Sequence, residues 1–407
     1  MSTPVNTAQD ASADLPEFPM ARPPRCPLDP PEGLRALQDD GPLTRVRLWN
    51  GSTPWLVTRH AEQKALSTDP RLSADPNSPG FPHATESKGG KLSFVTMDDP
   101  EHARLRRMVS GAFTVKRIEA MRPLVQDMVD GFIDDLLAGP NPVDLVEAFA
   151  LPVPSLVICK LLDVPYEDHA FFQSNSKTLI SRAATPDERL EAHQRLFRYL
   201  DDLVGRKMES AGDDLLSAVA ARVKAGELSR EDAALMGVLL LLGGHETTAN
   251  MIALGTFTLL QHPEQLARLR ETDDPKLIAS SVEELLRYLT IAHNGRRRVA
   301  LADIEIGGQV IRAGEGVIIA SDLGNRDATV FPDPDQLDIA RDARRHVAFG
   351  TGVHHCLGQP LARLELQVVY GTLYRRIPTL RLATDVDRIP FKHDGFIYGV
   401  HELPVTW

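Results

Sequence analysis

The stretch LMGVLLLLGGHETTAN, residues 235–250, sets the terms for any fold this chain adopts. Its apolar positions keep to no single face, so a helix built from it must be covered on every side. Ser229 with Asp232 resembles a capping box, which starts that helix there and carries it to about Leu260. The apolar run Leu235–Leu242 is far short of the roughly 18 residues that a membrane span needs, and His245 and Glu246 interrupt it. The cover must therefore come from the rest of the chain. The expectation is a buried central helix with other helices packed around it.

The remainder agrees. From Pro100 to about Arg270 the pattern is helical, with breaks at AGPNPVD, PVPS, DVPYED and ATPDE. Two short strands are expected around Asn50–Gly51, and a second strand-rich patch over Arg298–Ala320, turning at Gly307–Gly308. A final loop and strand follow in DGFIYGVHELPVTW. The fold class is mainly α with small β-sheets (α+β). No linker or repeat divides the chain, so 21–407 reads as one domain after a mobile N-terminal tail, 1–20. The first 31 residues hold eight prolines and no apolar run like a signal peptide or anchor. A net charge of −11 argues against nucleic-acid binding. Cys26, Cys159 and Cys356 are widely spaced, which argues against a disulfide scaffold and for a reducing compartment. A soluble, cytoplasmic protein is expected. HATESKGGKL, residues 83–92, reads as a long loop of the kind that often covers a substrate.

Four constellations carry chemistry. In HVAFGTGVHHCLGQPLARLEL, residues 346–366, Cys356 stands between a turn on Gly350 and Gly352 and a helix start, where backbone N–H groups favour a thiolate. Glycines here allow close approach to a flat object, and one sulfur against an open porphyrin face suits haem ligation. A zinc site lacks companions at suitable spacing. A cysteine nucleophile with His354 or His355 as base, or a small buried hydrophobe, are the alternatives. In the central helix, two glycines cost on the order of 1 kcal/mol each, a buried acid costs more unless paired, and threonines compete for backbone carbonyls. Glu246 beside Thr247 suits dioxygen binding and proton supply, the alternative being a kink with a satisfied core glutamate. Glu284 and Arg287 share a helix face at i, i+3. His102 and Arg106, at i, i+4, suit a carboxylate or, alternatively, form a solvated basic face.

Together, in this order, these residues resemble the cytochrome P450 family of haem-thiolate monooxygenases over about Pro19–Trp407. FGTGVHHCLG, residues 349–358, is similar to the family pattern F-G-x-G-x-[HR]-x-C-x-G, GGHETT to [AG]-G-x-[DE]-T, and ELLR to E-x-x-R. The one unusual choice is Gly243, where Ala is commoner. Flanking runs resemble soluble actinomycete members that tailor polyketides, steroids or foreign compounds. The resemblance implies the P450 fold, a single triangular-prism-like domain with a long central helix over the haem.

It also implies roles. Cys356 would ligate the iron of haem b within a cradle of Phe349, Gly350 and Gly358. His102, Arg106, Arg298 and His354 would hold the propionates, with Arg296 and Arg297 as alternatives to Arg298. Glu246 and Thr247 would relay protons to dioxygen, and Glu284 with Arg287 would be structural, tied to the segment near Arg326. The pocket would draw on Pro76–Phe94, Phe171–Ala184, Leu239–Gly243, Ile291–Asn294 and Phe396–Ile397, with His293 and Asn294 as polar walls. Electrons from NAD(P)H would arrive through a ferredoxin and its reductase, docking at Arg104, Arg107, Arg344, Arg345 and Arg363. A monomer acting on a medium-to-large, mainly apolar small molecule is expected. A peroxide-driven peroxygenase, a haem gas sensor and a haem-free cysteine hydrolase are the rival readings.

Overall fold

The central helix forms where its cap places it. In the computed structural model the Asp232 N–H donates to Ser229 Oγ at 3.0 Å, and the helix runs unbroken over Arg230–Leu260. Helices Pro152–Leu162, Pro186–Glu209 and Gln359–Arg376 pack against it. Close packing has a local cause: a Cβ at Gly255 would fall 1.9 Å from the Tyr370 hydroxyl, and one at Gly244 would fall 2.7 Å from Ile158 Cδ1. Only glycine lets those helices approach so closely. The structure describes residues 15–23, 27–86, 93–393 and 395–407. Among them no helix is long and apolar enough to cross a membrane.

Both expected hairpins are present. Leu43–Arg45 pairs antiparallel with Trp55–Val57, and Ile304–Ile306 with Gln309–Ile311. Gly307 and Gly308 turn the second at φ +58° and +74°, angles open to glycine at little cost. A five-stranded sheet takes the order Leu43–Arg45, Trp55–Val57, Gly316–Ile319, Arg296–Ala300, Leu72–Ser73. Val143–Asp144, inside a stretch expected only to interrupt helices, is a strand that pairs with C-terminal Pro404–Thr406.

Part of the stretch expected as a mobile tail is packed against the fold. Glu17 bridges Arg47, and Phe18 is 3% exposed against Leu34, Val46, Leu48 and Leu56. One aromatic residue among prolines is enough to dock this segment, because its N–H and a neighbouring carbonyl both find partners on Arg47. Residues 1–14 of the expected tail, and 87–92 of the expected covering loop, lie outside the described residues.

Candidate active site

The cysteine loop is built by its glycines and by one asparagine. The Val347 N–H donates to Asn325 Oδ1 at 2.7 Å, Gly350 and Gly352 turn at φ +73° and +75°, and the Cys356 N–H closes onto the Phe349 carbonyl at 2.8 Å. A Cβ at Gly352 would fall 2.1 Å from the Ser67 carbonyl oxygen. The helix Gln359–Arg376 then begins, so the N–H groups of Gly358 and Gln359 face the sulfur. Burial pushes the Cys356 thiol up; those N–H groups and the charges of Arg106 and Arg363 pull it down without winning. A coordinating metal would deprotonate the group outright. Protein surrounds the Cys356 side chain, yet the residue keeps exposed surface.

Beneath the loop, Arg363 lies 4.6 Å from the centre of the Phe349 ring and donates to Glu283 at 2.6 and 3.0 Å. His346 Nε2 meets the same carboxylate at 3.0 Å. Burial would raise the Glu283 carboxyl, but these two partners hold it down at about 2.

Cationic and donor groups converge beside the loop. His102 is 2% exposed, its Nδ1 lies 2.9 Å from Asp99 Oδ1, and its ring centre is 4.2 Å from that of His354. Burial, then the charges of Arg298, His102 and Arg106, push His354 down to about 3, so it is a neutral donor. Arg106 Nη2 donates to the His355 carbonyl at 2.6 Å. Arg296 and Arg298 point to one side of their strand and Arg297 to the other, where it donates to the Pro82 carbonyl at 2.6 Å. That removes Arg297 from the group. Arg296 joins it: its Nη1 donates to Val347 O at 3.3 Å, beside Gly350.

The central helix shows one open stripe. Gly243 is exposed and Leu239 and Thr247 half-buried, at steps of four residues on a helix otherwise largely buried. A Cβ at Gly243 would meet nothing within 4 Å. Thr247 Oγ1 donates to the Gly243 carbonyl at 2.8 Å, and Asn250 Nδ2 to the Glu246 carbonyl at 2.7 Å, without breaking the helix. Glu246 is 4% exposed, its Oε1 3.7 Å from His245 Nε2.

Cytochrome P450 is also the family whose model matches residues 212–377. The chain is 56% identical over 406 residues to cytochrome P450 GfsF of Streptomyces halstedii, covering 98% of each. It is 44% identical to the 20-oxo-5-O-mycaminosyltylactone 23-monooxygenase of Streptomyces fradiae, covering 96% of this chain and 92% of that one. The crystal structure of the mycinamicin VIII C21 methyl hydroxylase MycCI from Micromonospora griseorubida superposes with a TM-score of 0.91 at 43% identity, over 97% of this chain and all of the other. The chain belongs to the cytochrome P450 family. It is a monooxygenase with the P450 fold.

Members of the family carry haem iron and use O2, and the residues of this P450 fit that group. Among the described residues His102 Nε2 and Arg296 Nη2 are buried without a hydrogen-bond partner, as donors awaiting a carboxylate would be. A Cβ at Gly358 would meet nothing within 4 Å, which leaves a flat face beside Cys356.

Glu284 and Arg287 are fully buried, bonded at 2.7 and 2.8 Å. Arg287 also donates to Asn325 and Pro334 carbonyls, and Arg341, absent from the sequence reading, completes the cluster at 3.2 Å from Glu284. His293 and Asn294 both donate to the Gly395 carbonyl, at 3.1 and 3.0 Å, so they brace the C-terminal loop. Asn294 Oδ1 is the part of the pair left without a partner among the described residues. Burial, then Arg22, push His293 down to about 3, so it carries no charge. Phe94 is buried in the main core, while Ile291, Phe396 and Ile397 are half-buried. Three arginines of the expected docking patch are paired within the chain: Arg104 with Glu101, Arg344 with Asp342 and Arg363 with Glu283. Arg345 donates to the Val330 carbonyl at 2.6 Å, and Arg107 is exposed, as Arg344 and Arg345 are.

Proposed function

We propose that this P450 hydroxylates a C–H bond, or epoxidises an alkene, of a large and mainly apolar molecule, a macrolactone before a steroid or xenobiotic. The observation that carries this is the stripe Leu239–Gly243–Thr247, open on an otherwise enclosed helix, with the Glu246 acid next to it. The activities of the MycCI hydroxylase and the mycaminosyltylactone 23-monooxygenase support the macrolactone class.

The overall change is RH + O2 + 2 e⁻ + 2 H⁺ → ROH + H2O. Haem, held by Cys356 and through its propionates by His102, Arg106, Arg298 and His354, with Arg296 adjoining, would supply the iron at which dioxygen is reduced. The chain supplies the rest. His102, the neutral His354 and the guanidinium groups would fix two carboxylates by hydrogen bonds that charge strengthens. Arg363, anchored by Glu283, holds Phe349 against the sulfur side. Thr247 spends its proton on the Gly243 carbonyl and so presents lone pairs to the open stripe. Glu246 stands one residue behind it as the acid from which protons enter. Apolar Leu239, Ile291, Phe396 and Ile397 exclude water from the substrate side.

Electrons come from NAD(P)H through a ferredoxin reductase and a small acidic ferredoxin, which docks at Arg107 and the exposed Val353 of the cysteine loop. The enzyme works as a cytoplasmic monomer, and neither membrane nor nucleic acid is a partner. The first test is the absorbance of dithionite-reduced protein under carbon monoxide. A strongly red-shifted Soret band is expected from thiolate ligation. A band at the histidine-ligated position would remove Cys356 from the iron. No haem absorbance in haem-replete protein would overturn the site. A spin-state shift on titration with mycinamicin VIII, with none for steroids, would support the macrolactone assignment; the reverse would overturn it.

A further inference from the structure

The C-terminal hairpin meets a polar side chain of the central helix, Asn250. Phe391 bridges Val400, and the Lys392 N–H donates to the Gly399 carbonyl at 2.8 Å. Asn250 of the central helix fits into this hairpin because Gly399 lacks a side chain: a Cβ there would lie 1.7 Å from Asn250 Oδ1. Lys392 Nζ donates to that same Oδ1 at 3.0 Å. The amide is therefore oriented without ambiguity. Its oxygen faces the ammonium group, and its Nδ2 faces Glu246, 2.7 Å from the carbonyl and 3.4 Å from Oε2. The reverse orientation would set N–H against ammonium and oxygen against carboxylate. Four and five residues beyond Lys392 the hairpin carries Phe396 and Ile397, and the Phe396 N–H is tied to the Ile180 carbonyl at 2.9 Å.

We propose that Lys392 is a positioning residue for Glu246, acting through Asn250, so that the segment lining the substrate side also orients the acid. This rests on the reading of Glu246 as the entry point for protons. Lys392 touches neither dioxygen nor substrate. Its effect is to keep the Asn250 amide turned toward Glu246, and with it the carboxylate in place.

The test needs no identified substrate. With NADPH and a surrogate ferredoxin–reductase pair, each O2 leaves either as H2O2, taking two electrons and two protons, or as two waters, taking four of each. The measured ratio of H2O2 formed to O2 consumed reports proton delivery. For K392M the expected result is about a five-fold shift of that partition toward peroxide, the scale of one hydrogen bond. K392R should restore the wild-type ratio, and N250A and the double variant K392M/N250A should match K392M, since both remove one linkage. The solvent deuterium effect on the ratio should change in K392M and return in K392R, which a loss of packing alone would not produce. A crystal structure of ferric K392M should show the Asn250 amide turned from the Glu246 carbonyl. E246Q separates the two levels. If E246Q leaves the ratio unchanged, the reading of Glu246 itself fails, and the role of Lys392 with it. If E246Q shifts the ratio and K392M does not, or K392R fails to restore it, the role of Lys392 alone is overturned.

Discussion

Gly243 and Gly244 are neighbours in one helix, yet alanine should act on them in opposite ways. Both replacements gain the same helix propensity, about 1 kcal/mol. At Gly243 the new methyl group meets nothing within 4 Å; at Gly244 it lies 2.7, 2.8 and 3.3 Å from three atoms of Ile158. That side chain is packed in the main core, so forcing it aside costs about 1–3 kcal/mol. The propensity gain is shared, and the gap between the variants isolates packing. For 407 residues, at about 2 cal/mol/K each, the unfolding entropy is about 0.8 kcal/mol/K. G243A should therefore melt about 1 °C above wild type, and G244A about 1–3 °C below G243A. Calorimetry of the two ferric proteins side by side, backed by urea midpoints, gives the gap. A zero or reversed gap would refute the argument from neighbours. In the same samples G243A should weaken the spin-state titration for bulky ligands, because its methyl group enters the open stripe.

Other expectations follow from charge. Glu283, held at about 2 against 4.5 for the free group, contributes about 3 kcal/mol of stability near neutral pH, which is lost as pH falls from about 4.5 to 2. E283Q should be less stable by that amount at pH 7, and its difference from wild type should vanish through that window in urea titrations. R298Q should speed haem transfer to apomyoglobin about ten- to a hundred-fold, the loss of one charged hydrogen bond. R297Q, which alters a bond to the Pro82 carbonyl, should not. R107E should slow reduction by an acidic ferredoxin at low salt far more than R344E, because Asp342 already offsets Arg344; equal effects in stopped flow would argue against that docking face.

The local parts of this enzyme were legible in its sequence. Ser229, the run Leu235–Leu242 and Gly350–Gly352–Cys356 each act through backbone geometry and spacing a few residues long, and the central helix and both hairpins formed where they pointed. What escaped were partners brought together across long separations. Arg341 reaches Glu284 across 57 residues. His346 and Arg363 meet Glu283 across 63 and 80. Nothing in HN at 293–294 tells that both side chains serve one carbonyl on Gly395 rather than a substrate. Thiol chemistry was half legible: the helix start was evident, but the weight of burial on Cys356 needed the packed loop.

Asn325 has a consequence for how the molecule comes together. Its Oδ1 receives the Val347 N–H, its Nδ2 donates to Thr290 at 2.8 Å, and its carbonyl receives Arg287. One residue thus spans the Glu284–Arg287–Arg341 cluster and the first turn of the cysteine loop. The sulfur side is therefore assembled as a single polar unit, in which a change anywhere is felt everywhere. The substrate side hangs on backbone carbonyls such as those of Gly395 and Ile180, which are indifferent to the side chains around them. Substitution has an asymmetric outlet in such a design: side chains around the Gly395 and Ile180 carbonyls can be rewritten without breaking those bonds, whereas those around the cysteine loop are tied to one another through Asn325.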